Sequence, residues 1–308
     1  MSISFCTPFA VSGVLALAAP WAGRRLPPRL ASWLLTVAAV VAAGGCAAAL
    51  AMLALTLIGR IPLVAAVGRW SPGVLAAHTP VAPSIAAVGG LALAGCLVAG
   101  TVSACRQARV LLAARRESRG LVAAGDLAVI DDAVPTAFAL PGSPGRVVVS
   151  SGMLQALDAD ERRALFAHER AHLRHRHHVF LLLLQVTAAV NPLLRRVASA
   201  GSYALERWAD EEAAAVVADR RLVARAVARA ALAGKHAPGP ALAVTGGPVP
   251  QRVQALLAPP PRVPRGLVVA HALLMVVCCA GLALSAQDMD QMFDAASPLH
   301  TAVTTHQR

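Results

Sequence analysis

The chain has 308 residues, 57% of them hydrophobic and 14% charged, with a mean hydropathy of +0.61 and a formal net charge of +12. A soluble globular chain carries about a quarter charged residues, so this composition excludes an ordinary soluble globule and places much of the chain in lipid. One Tyr and six Phe leave few stacking platforms for bases, so no direct nucleic-acid binding is expected, and the bilayer with its anionic headgroups is the partner that the basic charge fits.

Four apolar stretches are long enough to span about 30 Å of hydrocarbon: Phe5 to Ala22, Leu30 to Ile58, Pro83 to Cys105 and Leu267 to Ala286. The first has no basic stretch ahead of it and holds Pro8, so it reads as an anchor and not as a cleaved signal peptide. Arg24, Arg25 and Arg29 follow it, a group from Arg106 to Arg119 follows the third span, and Arg262 and Arg265 precede the fourth. Positive charge resists translocation, which predicts an N-terminus outside and residues 106 to 265 in the cytoplasm. That block holds 22 of the 28 basic and 13 of the 16 acidic residues, a net of +9. The resulting division is a membrane domain at 1–105, a central domain at 106–235, a Pro/Gly-rich linker at 236–265, the last span at 266–286 and a short extracytoplasmic tail at 287–308. All six cysteines lie in or beside the spans, so the central block has neither a disulfide framework nor a thiolate metal site.

Within that block, Arg106 to Arg119 continues helically out of the membrane. Leu127 to Ile130, Ala137 to Leu140 and Val147 to Ser150 predict a small sheet of two or three strands, with the turn cluster PGSPG before the last. Asp158, with Glu161 three residues on, is a capping-box signal. From there LDADERRALFAHERAHLRHRHH has no Gly or Pro to stop a helix. Val179 to Leu194 is apolar but short for a span, either a buried core helix or one dipping into the interface. A second polar helix is expected from Ser202 to Leu232.

The chemistry sits in His168-Glu169-Arg170-Ala171-His172. Residues four apart share a helical face, so both imidazoles can meet one zinc ion, with Glu169 near enough to serve as base to a water there. The competing reading is a basic amphipathic helix that merely clusters histidines. A catalytic zinc needs a third protein ligand, and no histidine follows at metzincin spacing. A carboxylate from a second helix is the alternative. Glu206, four residues before Asp210 in ERWADEE, shares a face with it, so one can bind metal while the other holds a ligand histidine's free N–H; Glu211 and Glu212 compete.

HERAH, the apolar helix ending at Asn191-Pro192, and ERWAD together resemble the BlaR/MecR-type antirepressor metallopeptidases of bacterial membranes. The similarity extends over VVVSSGMLQALDADERRALFAHE and covers most of residues 120 to 235. It implies a mainly α integral membrane protein, about four transmembrane helices carrying a cytoplasmic α+β zincin-like metallopeptidase domain, in the bacterial inner membrane. It also implies one Zn2+ held by His168, His172 and Glu206, with Glu169 catalytic and Asp210 behind the ligands. Val147, Val148, Val149 and Ser150 would form the strand beside the cleft to which an extended substrate adds. The expected activity is zinc-dependent endoproteolysis of a regulatory protein such as a transcriptional repressor.

Two departures stand out. Too few residues follow Ala286 for a penicillin-binding sensor domain, so β-lactam sensing by this chain is not expected. His177 stands where relatives often carry Asp; His175, His177 and His178 are expected to be exposed at the lipid surface. The oxyanion-stabilising group is open among Arg207, Tyr203 and these histidines. HtpX-type membrane peptidases, which act in quality control, are the nearest alternative, followed by a catalytically idle membrane scaffold or sensor.

Overall fold

The computed structural model describes residues 2–78, 81–117, 123–234, 249–259 and 265–297. Among the described residues four helices are long and apolar enough to cross a membrane: Cys6–Arg25, Pro28–Ile58, Pro83–Arg116 and Arg265–Ala295. The first two lie in α1 (Ser2–Arg25) and α2 (Pro28–Ile58). Two short helices of about two turns each, α3 (Pro62–Gly68) and α4 (Pro72–His78), lead to α5 (Pro83–Glu117), which runs on past Cys105 as the basic sequence predicts. Ala31, Ala38, Ala39, Ala42 and Ala43 form the buried stripe of α2. Small side chains let helix backbones approach closely where lipid offers no hydrophobic drive.

Four strands follow: β1 (Ala123–Ala124), β2 (Leu127–Ile130), β3 (Ala137–Leu140) and β4 (Arg146–Ser150), in the spatial order β1-β2-β4-β3. The sheet exceeds the expected two or three strands by the two-residue β1. Strand β4 is parallel to β2 on one side and antiparallel to β3 on the other. This corrects the placement of Val147, Val148, Val149 and Ser150 as a substrate strand, because both edges of β4 are already paired. Three valines at 0%, 2% and 0% exposure belong to the core. Ser150 instead caps α6 (Ser151–Ala156), its Oγ accepting from the Met153 amide at 3.1 Å.

Helix α7 (Ala159–Arg174) starts on the capping box, Asp158 Oδ1 accepting from Glu161 N at 2.9 Å and Glu161 Oε2 from Asp158 N at 3.1 Å. It does not run on through the histidines. Arg176 turns left-handed at φ 52 and α8 (His177–Val190) begins at a new angle. A left-handed residue costs roughly 1–2 kcal/mol, whereas burying Phe180 and Leu184 against α2 and α9 returns roughly 1.5–3 kcal/mol each. A straight continuation would carry both into solvent.

Asn191 ends α8 and caps a single 3-10 turn, Pro192–Leu194, through Leu193 N. Its Nδ2 donates to Ser12 Oγ at 3.0 Å in α1. Beside it Val190 fits against Gly100 of α5, where a Cβ would come within 2.9 Å of a valine methyl. The apolar helix thus wedges among the spanning helices. The expected second polar helix is two: α9 (Arg195–Val217) and α10 (Arg220–Gly234), broken at left-handed Ala218. Asp219 Oδ1 starts α10 by accepting from the amides of Arg221 and Leu222. Inside the segment expected to be linker lies α11 (Val249–Leu257), followed by the last long apolar helix described, α12 (Arg265–Ala295). Residues 236–248 and 260–264 of that linker lie outside the described residues.

Candidate metal centre

Helices α7 and α9 cross with His168 and His172 on one and Glu206 and Asp210 on the other. Each pair is four residues apart and so on one face. The far side of α9 carries Ala204 and Leu205, both fully buried, and this fixes which face the helix turns to α7. His168 Nε2 and His172 Nε2 point at one another across 3.1 Å, and each lies 3.6 Å from one oxygen of Glu206. Tetrahedral ligands at zinc, about 2.0–2.1 Å from the ion, stand about 3.4 Å apart. The observed separations bracket that value. Two imidazoles and a carboxylate are also the donor types that zinc takes, so these three side chains could hold a metal ion.

The second ring atoms are also engaged. His168 Nδ1 lies 3.0 Å from Asp210 Oδ1. His172 Nδ1 lies 2.9 Å from His177 Nδ1. His177 is fully buried, with its ring 4.8 Å from that of Trp208. The expectation that His175, His177 and His178 are exposed therefore fails for His177. It fails in part for the others, since His175 stacks on Trp208 at 4.5 Å and pairs with Glu212 at 3.2 Å, and His178 lines the cleft. The bend at Arg176 folds these rings back onto α9.

Arg252 is the residue that sequence reasoning missed. It reaches in from α11 at 3% exposure and binds Asp210 with two nitrogens, at 2.6 and 2.8 Å, and Glu206 with its third, at 2.9 Å. A signal was present: Val249, Val253 and Leu256 recur at helical spacing around it. Of the other cations considered, Arg207 is turned away, its Nη1 donating to the carbonyls of Gly23, Arg24 and Leu26. Tyr203 OH donates to the Gln251 carbonyl.

Charge follows from this packing. Burial opposes charge on His168, but Asp210 and Glu206 outweigh it and hold its pKa up at about 10 in the metal-free chain. Burial takes His172 down to about 4 despite Glu206. Glu206 and Asp210 stay ionised against burial, Glu206 chiefly through His172, His168 and Arg252, Asp210 chiefly through Arg252. Glu169 is raised, first by burial and also by the neighbouring charge of Glu206. A carboxyl lifted towards neutrality is suited to exchanging protons.

A cavity of about 160 Å³ opens on Glu169 and the three donors, with Met153, Leu165, Val223 and Val227 on its apolar side. The strand at its rim is β3, through Ala137, Phe138 and Ala139. Among the described residues β3 is an edge strand of the sheet, and its lining residues place that edge at the rim of the cleft.

Residues 106–199 match Peptidase family M48. The match takes in the sheet, HERAH and α8, and supports a zinc metallopeptidase. It ends before Glu206, Asp210 and Arg252, whose places in the centre rest on geometry. No curated protein matches the chain, and no solved structure does.

Proposed function

We propose that this chain is a membrane-anchored zinc endopeptidase that hydrolyses an extended segment of a protein substrate. The observation that carries it is the convergence of His168 Nε2, His172 Nε2 and the Glu206 carboxylate at zinc-sized separations, beside a buried Glu169 with a raised pKa. His168, His172 and Glu206 would hold the ion, which when bound supplies Lewis acidity to the scissile carbonyl and acidifies water at the site. Asp210 fixes the His168 ring through Nδ1, and Arg252 keeps Asp210 and Glu206 ionised. Glu169 accepts a proton from the attacking water as its oxygen bonds to the carbonyl carbon. It then delivers that proton to the departing amide nitrogen as the C–N bond breaks, so the carboxylate is regenerated. The substrate backbone pairs with the free edge of β3.

The inner face of a bacterial membrane is the proposed location, supported by the arginine distribution around the four apolar helices. The proposed substrate class is a regulatory protein such as a transcriptional repressor, supported by the resemblance of HERAH, Asn191-Pro192 and ERWAD to the BlaR/MecR type. Glu169→Gln keeps the shape and removes the base. The expected outcome is a fall in peptide hydrolysis by about 100-fold or more with zinc content unchanged. Wild-type turnover in that variant would falsify the assignment. Comparing the fragments released in cells by the two forms identifies the substrate.

A further inference from the structure

The two ligand histidines are served unequally. Each turns Nε2 towards Glu206 and Nδ1 towards a partner behind it. For His168 that partner is the carboxylate of Asp210 at 3.0 Å, and for His172 it is another imidazole, His177, at 2.9 Å. If His172 Nε2 is to offer its lone pair to an ion, the ring proton must sit on Nδ1. The His177 Nδ1 facing it must then accept, which places the proton of His177 on Nε2.

The surroundings favour this arrangement. His177 is 0% exposed, its ring centroid 4.8 Å from that of Trp208 and 6.4 Å from that of Phe180. The buried cation at the centre, Arg252, already spends its donors on Asp210 and Glu206. A carboxylate in the place of His177 would be a buried charge far costlier than a neutral ring. Imidazole supplies an acceptor without a charge. Its Nε2 is buried with no hydrogen-bond partner among the described residues, a cost that only the work done by Nδ1 explains.

We propose that His177 is a positioning residue of the metal centre, whose Nδ1 accepts the Nδ1–H of His172 and thereby fixes that ring with Nε2 aimed at the ion. The proposal rests on the zinc reading above. It acts through His172 and touches neither metal nor substrate. Loss of such a partner typically weakens metal binding about 10- to 100-fold.

Three variants separate an acceptor from a filler. In His177→Asn the amide oxygen takes the place of Nδ1. In His177→Gln the oxygen falls one bond too far, and in His177→Leu volume is kept without an acceptor. Zinc affinity of the full-length chain in detergent is measured by competition with a chelator at one pH, and the ligand-field spectrum is recorded with cobalt(II) in place of zinc. Asn is expected to stay within about threefold of the parent with its cobalt spectrum preserved, while Gln and Leu lose about 10- to 100-fold and shift the spectrum. The proposal is overturned if Leu binds as tightly as the parent, or if Asn loses as much as Leu, which would make the residue mere packing. A parent that binds no zinc overturns the zinc reading itself.

Discussion

His168 carries an opposition that zinc must resolve. Without metal its pKa stands at about 10, raised above the ordinary value because Asp210 and Glu206 outweigh burial, so the ring is protonated at neutral pH. A bound ion needs that nitrogen free. Binding therefore expels a proton at any pH below about 10, and affinity should fall about tenfold for each unit by which pH drops below it. His172, already down at about 4, adds nothing to this slope in the same window. Chelator competition at several values between about pH 7 and 9 checks it, and a flat profile contradicts the assignment of His168. At this scale the sequence was informative where chemistry is local: HERAH and the pairing of Glu206 with Asp210 are readable from spacing alone. His177 was not, because its burial depends on a bend at Arg176 that neither Gly nor Pro announces.

Among the elements, α8 decides how close the centre lies to lipid. Its C-terminal residue, Val190, rests against Gly100 of α5, six residues and so about 9 Å along the helix from Arg106. Val179, Leu182, Leu183 and Leu193 remain 37–48% exposed on this wedge, as an interfacial segment needs. A spin label at Leu193→Cys, in a background with the native cysteines replaced, should sit about 5–10 Å below the phosphates when oxygen and nickel-chelate collisions are compared in vesicles. A water-exposed collision profile would reject the wedge. The four long apolar helices and the capping box at Asp158 follow from composition and pattern. Two elements did not: α11 was hidden by the prolines and glycines on either side of it, and the break at Ala218 was hidden by a run of good helix formers, although Asp219 was a start signal.

At the scale of the whole molecule, the described helices of the candidate metal centre share a core with the first two apolar helices. Val197, Ala204, Leu205 and Trp208 of α9 share one buried cluster with Val11, Leu15 and Leu35 of α1 and α2. A fragment of residues 106–264 made without α1 and α2 keeps the clusters around Val149 and Met153 and around Ala213 and Val223, but it loses the partners of Leu205 and Trp208. It should therefore melt well below the full chain and bind zinc more weakly. A fragment as stable as the full chain would contradict a shared core. Such sharing cannot be read from hydropathy, which marks what enters lipid but not which soluble helix leans on it. The same packing gives consecutive residues of α9 three different attachments, since each step turns the helix by about 100°. Glu206 faces the donors, Arg207 grips the last carbonyls of α1, and Trp208 stacks beneath the histidines. Glu206, a carboxylate that could hold a metal ion, thus sits one residue from the anchor of α9 on α1, and a tilt of α1 would reach the site within a single helical turn.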